Sequence, residues 1–164
     1  MRLIPQSKQN TYYQNLRHWF GQHSEWSLAD AKTITGHEEA LYDWLAVNYH
    51  LGSFKSGDKQ TVGVLDIGGA STQIAFPVQN GQNTQGALEL DLYGQHYSLF
   101  IHSFLGLGQN EITHQLLDSP SCFSMNYPLP SGNIGQGNAM ECAQELVPLI
   151  NGLHKANLLI QPVL

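Results

Sequence analysis

Charge is scarce in this 164-residue chain: charged residues make up 12% of it, about half the usual share. Seven Lys and Arg stand against thirteen Asp and Glu, a formal balance of −6, which excludes the basic face of a nucleic-acid reader. No apolar run approaches the ~20 residues of a membrane span. Met1-Arg2 is not followed by the apolar stretch of a signal peptide. Two cysteines are too few for a structural zinc site. None of the eight histidines pairs with another at i+3 or i+4, so a helical histidine metal site has no support. Neither a nucleophile elbow nor a Walker A loop is present.

What is there suits one ordinary domain. Hydrophobic residues are 41% of the chain, and polarity is carried by 11 Asn and 15 Gln more than by charge. Residues 11–23 place Tyr12, Leu16 and Phe20 at i, i+4, i+8, a helical stripe. Residues 30–35 read as a short strand. Residues 37–50 place Leu41, Trp44, Leu45 and Asn48 on one helical face. Val62–Ile67 reads as a strand buried on both faces, joined by a small-residue turn to a second strand over Thr72–Phe76. Residues 80–86 read as a surface loop. Further strands are expected over Ala87–Tyr93 and Tyr97–Ile101, then a helix over Ser103–Leu117 and a loop over 118–138. The last helix spans Asn138–Asn157, with Leu146, Leu149, Ile150 and Leu153 on one stripe and Pro148 within it. Interleaved strands and helices argue for a mixed α/β class.

Cys122 and Cys142 bracket a segment rich in Pro, Gly, Ser and Asn. A disulfide there would stabilise the fold by roughly 3 kcal/mol and would imply a periplasmic or extracellular location. Two reduced thiols in a cytosolic protein are the alternative.

The stretch Asp66-Ile67-Gly68-Gly69-Ala70-Ser71-Thr72-Gln73 carries the most chemistry. Glycines let backbone approach a ligand, and successive N–H groups in such a turn form an anion nest. A carboxylate at the end of a buried strand is costly unless it meets a cation. Asp66 beside an amide nest is therefore what a metal–phosphate complex needs; a hairpin turn with a capping Asp is the plainer reading. Glu38 and Glu39, in a first helical turn, suit the helix dipole. Glu38 shares the stripe of Leu41 while Glu39 projects elsewhere, and periodicity alone does not decide which would be catalytic. His102-Ser103 reads as a structural pair.

At these residues the chain resembles the apyrase family, the nucleoside triphosphate diphosphohydrolases, and most nearly the secreted members from Legionella-type bacteria. ITGHEEALYDWLAVNYHLG (34–52) is similar to the family's third conserved region and GVLDIGGASTQIAF (63–76) to its fourth. YGQHYSLFIHSFLGLG (93–108) resembles a further family stretch, and MRLIP (1–5) the tail of the second region. The resemblance implies an actin-like, ribonuclease-H-like ATPase fold of two lobes closing on a nucleotide. Residues 1–35 would end the N-terminal lobe, and 36–164 would begin the C-terminal lobe with its second phosphate loop.

By the same resemblance Glu39 is the expected base. Asp66 would hold Mg²⁺ or Ca²⁺ through water, and Gly68, Gly69 and Ala70 would offer amides to phosphate. Ser71 and Gln73 would hold the attacking water. The implied reaction takes nucleoside tri- and diphosphates to monophosphate, in the periplasm or outside the cell. Ala40 stands where the family usually has Gly. The first phosphate loop (Asp-x-Gly-Ser), the Thr-Ala-Gly of the second region and the fifth region are not in the 164 residues. The expectation is thus a central fragment, weak or inactive alone, completed by the N- and C-terminal portions of the same enzyme. Two rivals are a catalytically dead remnant or partner-completed nucleotide-binding subunit, and an exopolyphosphatase-like phosphatase on the same fold. The second usually carries a carboxylate where Gln73 stands.

Overall fold

The computed structural model describes residues 1–54, 60–78 and 86–160, the last eight by backbone alone. Pro5 opens helix α1 (Gln6–Gln22). Its inward face is Gln9, Tyr13, Leu16 and Phe20, whereas Tyr12, expected on that stripe, is exposed. Residues 30–35 are not a strand. They run extended along α1, where Arg17 donates to the Ala31 carbonyl and Thr33 donates to Gln9. Side chains of the helix satisfy this segment, so it has no ladder to join.

Helix α2 (Gly36–His50) begins with a capping box. Thr35 accepts from the Glu38 N–H, and the Glu38 carboxylate accepts from the Thr35 N–H at 2.7 Å. Four strands follow: β1 (Val64–Ile67), β2 (Ser71–Pro77), β3 (Leu88–Leu92) and β4 (Gln95–Leu105). They form one antiparallel sheet in the order β1-β2-β4-β3. β1 is an edge strand with Leu65 and Ile67 each 61% exposed, so it is not buried on both faces as its apolar run suggests. Tyr93 and Gly94 both take positive φ in the two-residue turn between β3 and β4, the requirement of a tight hairpin that matches strand twist.

The core lies between α2 and the sheet. Trp44 is wholly buried with Ala40, Ala75 and Leu99, and Leu41, Leu45, Val64, Leu90 and Ile101 pack around them. Truncating a buried Trp costs about 3–5 kcal/mol, so Trp44 anchors the helix to the strands. Asn48, also wholly buried, locks the helix to the approach of β1. It donates to the Trp44 and Val62 carbonyls and accepts from the Val62 N–H at 2.8 Å.

β4 continues through Ser103 to Leu105, and helix α3 covers only Gln109–Gln115. The helix expected from Ser103 therefore starts six residues later, because pairing of Ser71 with Leu105 and Gln73 with Ser103 draws 103–105 into the sheet. A 3₁₀ turn (Pro120–Cys122) and helix α4 (Ala139–Ile160) close the order. Leu146 and Leu149 are half-buried; Ile150 is exposed, and the Leu153 side chain and residues 80–85 lie outside the described residues. The Cys122–Cys142 disulfide is formed, with Cα atoms 4.7 Å apart. Among the described residues no helix is long and apolar enough to cross a membrane.

Candidate active site

The turn between β1 and β2 is shaped from behind. Gly68 N–H donates to the Ser71 carbonyl at 3.0 Å, closing it. The Gly68 and Gly69 carbonyls accept from the Gln109, Asn110 and Glu111 N–H groups at 2.8, 2.9 and 3.2 Å, and the Ala70 carbonyl accepts from Gly106. The first turn of α3 thereby takes up the carbonyls of the loop. A Cβ on Gly108 would sit 2.4 Å from backbone atoms of Gly69, Ala70 and Ser71, so only glycine allows that approach. The N–H groups of Gly69 and Ala70 donate to no carbonyl among the described residues.

The strands carry the next layer. Asp66 pairs with Gln73, and Gln73 with Ser103, so the three stand in one row across β1, β2 and β4. α2 packs on this sheet. Gln73 is 1% exposed; its amide nitrogen donates to Ser71 Oγ at 2.7 Å and to Ser103 Oγ at 3.1 Å. Its carbonyl oxygen is buried with no hydrogen-bond partner among the described residues. Ser103 and His102 part company, as successive strand residues must: Ser103 meets Gln73, while His102 packs against Phe100 and Phe104.

The two glutamates are separated by their partners. Glu38 is committed to the capping box, and the Thr35 backbone hydrogen bond holds its carboxyl below the usual range. It does not turn with Leu41 into the core. Glu39 meets Arg2: the guanidinium donates to Glu39 Oε2 at 2.5 Å and to Ser71 Oγ at 2.6 Å. Glu39 is thereby tied to the loop through one guanidinium nitrogen of Arg2, which lies 37 residues from Glu39 and 69 from Ser71 in sequence. Of the expected site residues, Glu39, Ser71 and Gln73 share one connected network, and Asp66 adjoins it in register.

Asp43 stands one turn beyond Glu39 on α2. Burial pushes its carboxyl up, and the charges of Asp66 and Glu39 push it further. Three carboxylates thus feel one another across the helix–sheet boundary. Among the described residues they do not close into a three-ligand metal cluster, and Asp66 makes no ion pair.

Sequence reading gave no site role to Arg2, Gly36, Ser103 or Asp43, although Arg2 and Ser103 lie in stretches that resemble the family. Asp43 was available from the i+4 spacing to Glu39. Ser103 required the register of β4, and Gly36, read only as a break, seats α2 on it: a Cβ there would lie 2.1 Å from Ser103 Oγ. Arg2 lies in the MRLIP stretch, but nothing local to it foretells its contact with Glu39 and Ser71.

A family model described as the GDA1/CD39 (nucleoside phosphatase) family matches residues 1–127. Ectonucleoside triphosphate diphosphohydrolase 1 of Mus musculus is 41% identical over 100 residues, covering 53% of this chain and 20% of that protein. The Bos taurus protein of the same name is 32% identical over 172 residues, covering 74% and 33%. Ectonucleoside triphosphate diphosphohydrolase 2 of Homo sapiens is 38% identical over 99 residues, covering 54% and 20%. A solved structure titled "Crystal structure of nucleoside triphosphate hydrolases from Neospora caninum" aligns with 59% of this chain and 20% of its own, at 26% identity and a TM-score of 0.45, too slight a likeness to bear on the fold. The chain spans a fifth to a third of the length of these relatives.

Proposed function

Since this chain belongs to the GDA1/CD39 (nucleoside phosphatase) family, we propose that its residues form one half of a site that hydrolyses nucleoside tri- and diphosphates, with Glu39 as base. The observation that carries this is the join made by Arg2 between the Glu39 carboxylate and the Ser71 hydroxyl, beside the loop amides that donate to no carbonyl among the described residues. A water-activating group and a phosphate-binding backbone need such proximity, and in sequence they are about thirty residues apart.

The chemistry asks mainly for positioning. In phosphoryl transfer the transition state is loose, so the protein orients water and stabilises charge more than it strips protons. Arg2 engages Glu39 Oε2; Oε1 has no partner among the described residues and is the oxygen that would accept a proton from water. The buried Gln73 carbonyl oxygen, also unpartnered, would accept the other hydrogen of that water, leaving a lone pair aimed at phosphorus. The Gly69 and Ala70 amides, with Gly68 closing the turn, would hold phosphate oxygens.

Asp66 fits a hydrated Mg²⁺ or Ca²⁺ better than a directly coordinated one. It is a single unpaired carboxylate with Asp43 in its field, and no third ligand converges among the described residues. Bound there, the cation would supply positive charge to the phosphate oxygens, which the Arg2 guanidinium, already paired with Glu39, does not offer in full. By family likeness, residues 1–35 belong to one lobe of an actin-like fold and 36–164 to the other. The disulfide suits a periplasmic or secreted setting.

Phosphate release from ATP and ADP with Mg²⁺ or Ca²⁺ tests the reading, on this chain and on one extended by the segments its relatives carry. The expected result is cation-dependent release, greater in the longer chain, that Glu39→Gln removes almost entirely. Turnover untouched by Glu39→Gln dismisses the base. Nucleotide binding without turnover in the longer chain favours the dead-remnant reading.

A further inference from the structure

We infer that Ser103 is a positioning residue of this site, acting through Gln73; the inference rests on the hydrolase reading only for its kinetic consequence. Local sequence offers it only as the neighbour of His102. Its place comes from the β2–β4 register, which sets Ser103 directly opposite Gln73.

A primary amide can turn over, exchanging its oxygen and nitrogen ends at no steric cost. At position 73 that flip decides whether an acceptor or a donor faces the site. Each hydroxyl partner both donates and accepts, so the choice rests on what is left over: with two hydroxyls on the nitrogen end one acceptor stays unpartnered, whereas the flipped amide would leave two N–H donors unpartnered. Ser71 Oγ receives Arg2 and Gln73 Nε2 at 2.6 and 2.7 Å, and Ser103 Oγ receives the other Nε2 hydrogen at 3.1 Å. Both amide hydrogens are then used, and Oε1 is left buried and unpartnered. A buried acceptor without a donor costs free energy, and the site keeps it aimed for a ligand hydrogen. Without Ser103 one amide hydrogen would lose its partner, and the flipped and unflipped forms would approach equal energy.

Ser103 also fixes where α2 begins. Gly36 sits so close that a Cβ would lie 2.1 Å from Ser103 Oγ and 2.4 Å from its Cβ. Gly36 is three residues before Glu39, so the contact that orients Gln73 also sets the height of the base above the sheet. One hydroxyl thus registers both acceptors against the same water.

The test uses the full 164-residue chain, with Ser103→Ala and Gly36→Ala. In ¹H–¹⁵N spectra the Gln73 side-chain NH₂ pair, assigned by its loss in Gln73→Leu, is expected to exchange slowly in the parent. In Ser103→Ala, where the flipped amide becomes populated, both protons of the pair move toward free-amide shifts and exchange at least about tenfold faster. Gly36→Ala, which crowds the hydroxyl without removing it, moves the same pair. In phosphate release from ATP with Mg²⁺, measured in the longest active form, Ser103→Ala lowers kcat about tenfold at nearly constant KM. An unmoved Gln73 pair in a folded Ser103→Ala chain overturns the inference, as does a loss confined to KM. Should Ser103→Ala not fold, the parent decides: Gln73 protons exchanging at the free rate refute it. A parent without phosphate release counts against the hydrolase reading alone, and the Gln73 pair still judges Ser103.

Discussion

Gly108→Ala is the sharpest probe of how the phosphate loop is held. Gly108 has φ −81° and ψ 161°, a conformation open to alanine, so backbone torsion contributes nothing to the cost. The cost is contact: the new Cβ would stand 2.4 Å from Ala70 N, Gly69 C and Ser71 N. Ordinary carbon contacts begin near ~3.5 Å, so α3 has to withdraw by about 1 Å. That stretches the hydrogen bonds from Gln109, Asn110 and Glu111 to the Gly68 and Gly69 carbonyls, now 2.8–3.2 Å long, beyond useful range. At about 1 kcal/mol each, the loss comes to about 3 kcal/mol. Urea unfolding of the variant should show it as a lower midpoint with an unchanged slope. Gly21→Ala is the control: nothing lies within 4 Å of its Cβ position in α1, and it should stabilise by roughly 0.5–1 kcal/mol. A Gly108→Ala chain within about 0.5 kcal/mol of the parent would refute the account of a loop braced from behind.

Asn48→Ala strips the Val62 backbone of both its hydrogen bonds to the Asn48 side chain, and unfolding should show about 3 kcal/mol lost; a change within noise would mean Val62 finds other partners. Replacing Cys122 and Cys142 by Ser should cost roughly 3 kcal/mol, and reduction of the parent should lower its melting temperature equally. His96 lies between Asp91 and Glu89, bonded to each at 2.8 and 2.9 Å, and chiefly the Asp91 hydrogen bond raises its pKa above 6.5. The folded state therefore holds the proton more tightly. The stabilisation is complete below pH 6.5 and is lost as pH rises through the raised value. His96→Gln should flatten that limb of the stability profile, and an identical profile would remove His96 as its cause. Asp43→Asn should raise stability at neutral pH, where the half-buried carboxylate faces Asp66 and Glu39; a lower melting temperature there would contradict the repulsion.

Local pattern revealed α2 and the β1–β2 hairpin because both bury a periodic face. Leu41, Trp44, Leu45 and Asn48 repeat with the helix and line the core. The same pattern misled at β1. An apolar run signals burial on both faces, yet an edge strand leaves Leu65 and Ile67 in solvent. It misled again at Ser103, where helical spacing lost to a strand partner about thirty residues upstream. The site divides similarly. The loop and Glu39 were legible by resemblance, but no spacing rule separates Glu39 from Glu38; the capping box and Arg2 do. Arg2, Gly36 and Ser103 depend on contacts made only once the chain has folded.

The Ser71 hydroxyl oxygen receives a hydrogen from Arg2 and another from Gln73. With both lone pairs taken, the only thing it can still offer is its own proton. The polarity of the row therefore runs one way, from the guanidinium to an outward O–H, and a residue lying outside every helix and strand sets its sense. A neutral side chain at position 2 would let that hydroxyl spin, and the site would lose its direction before it lost its shape.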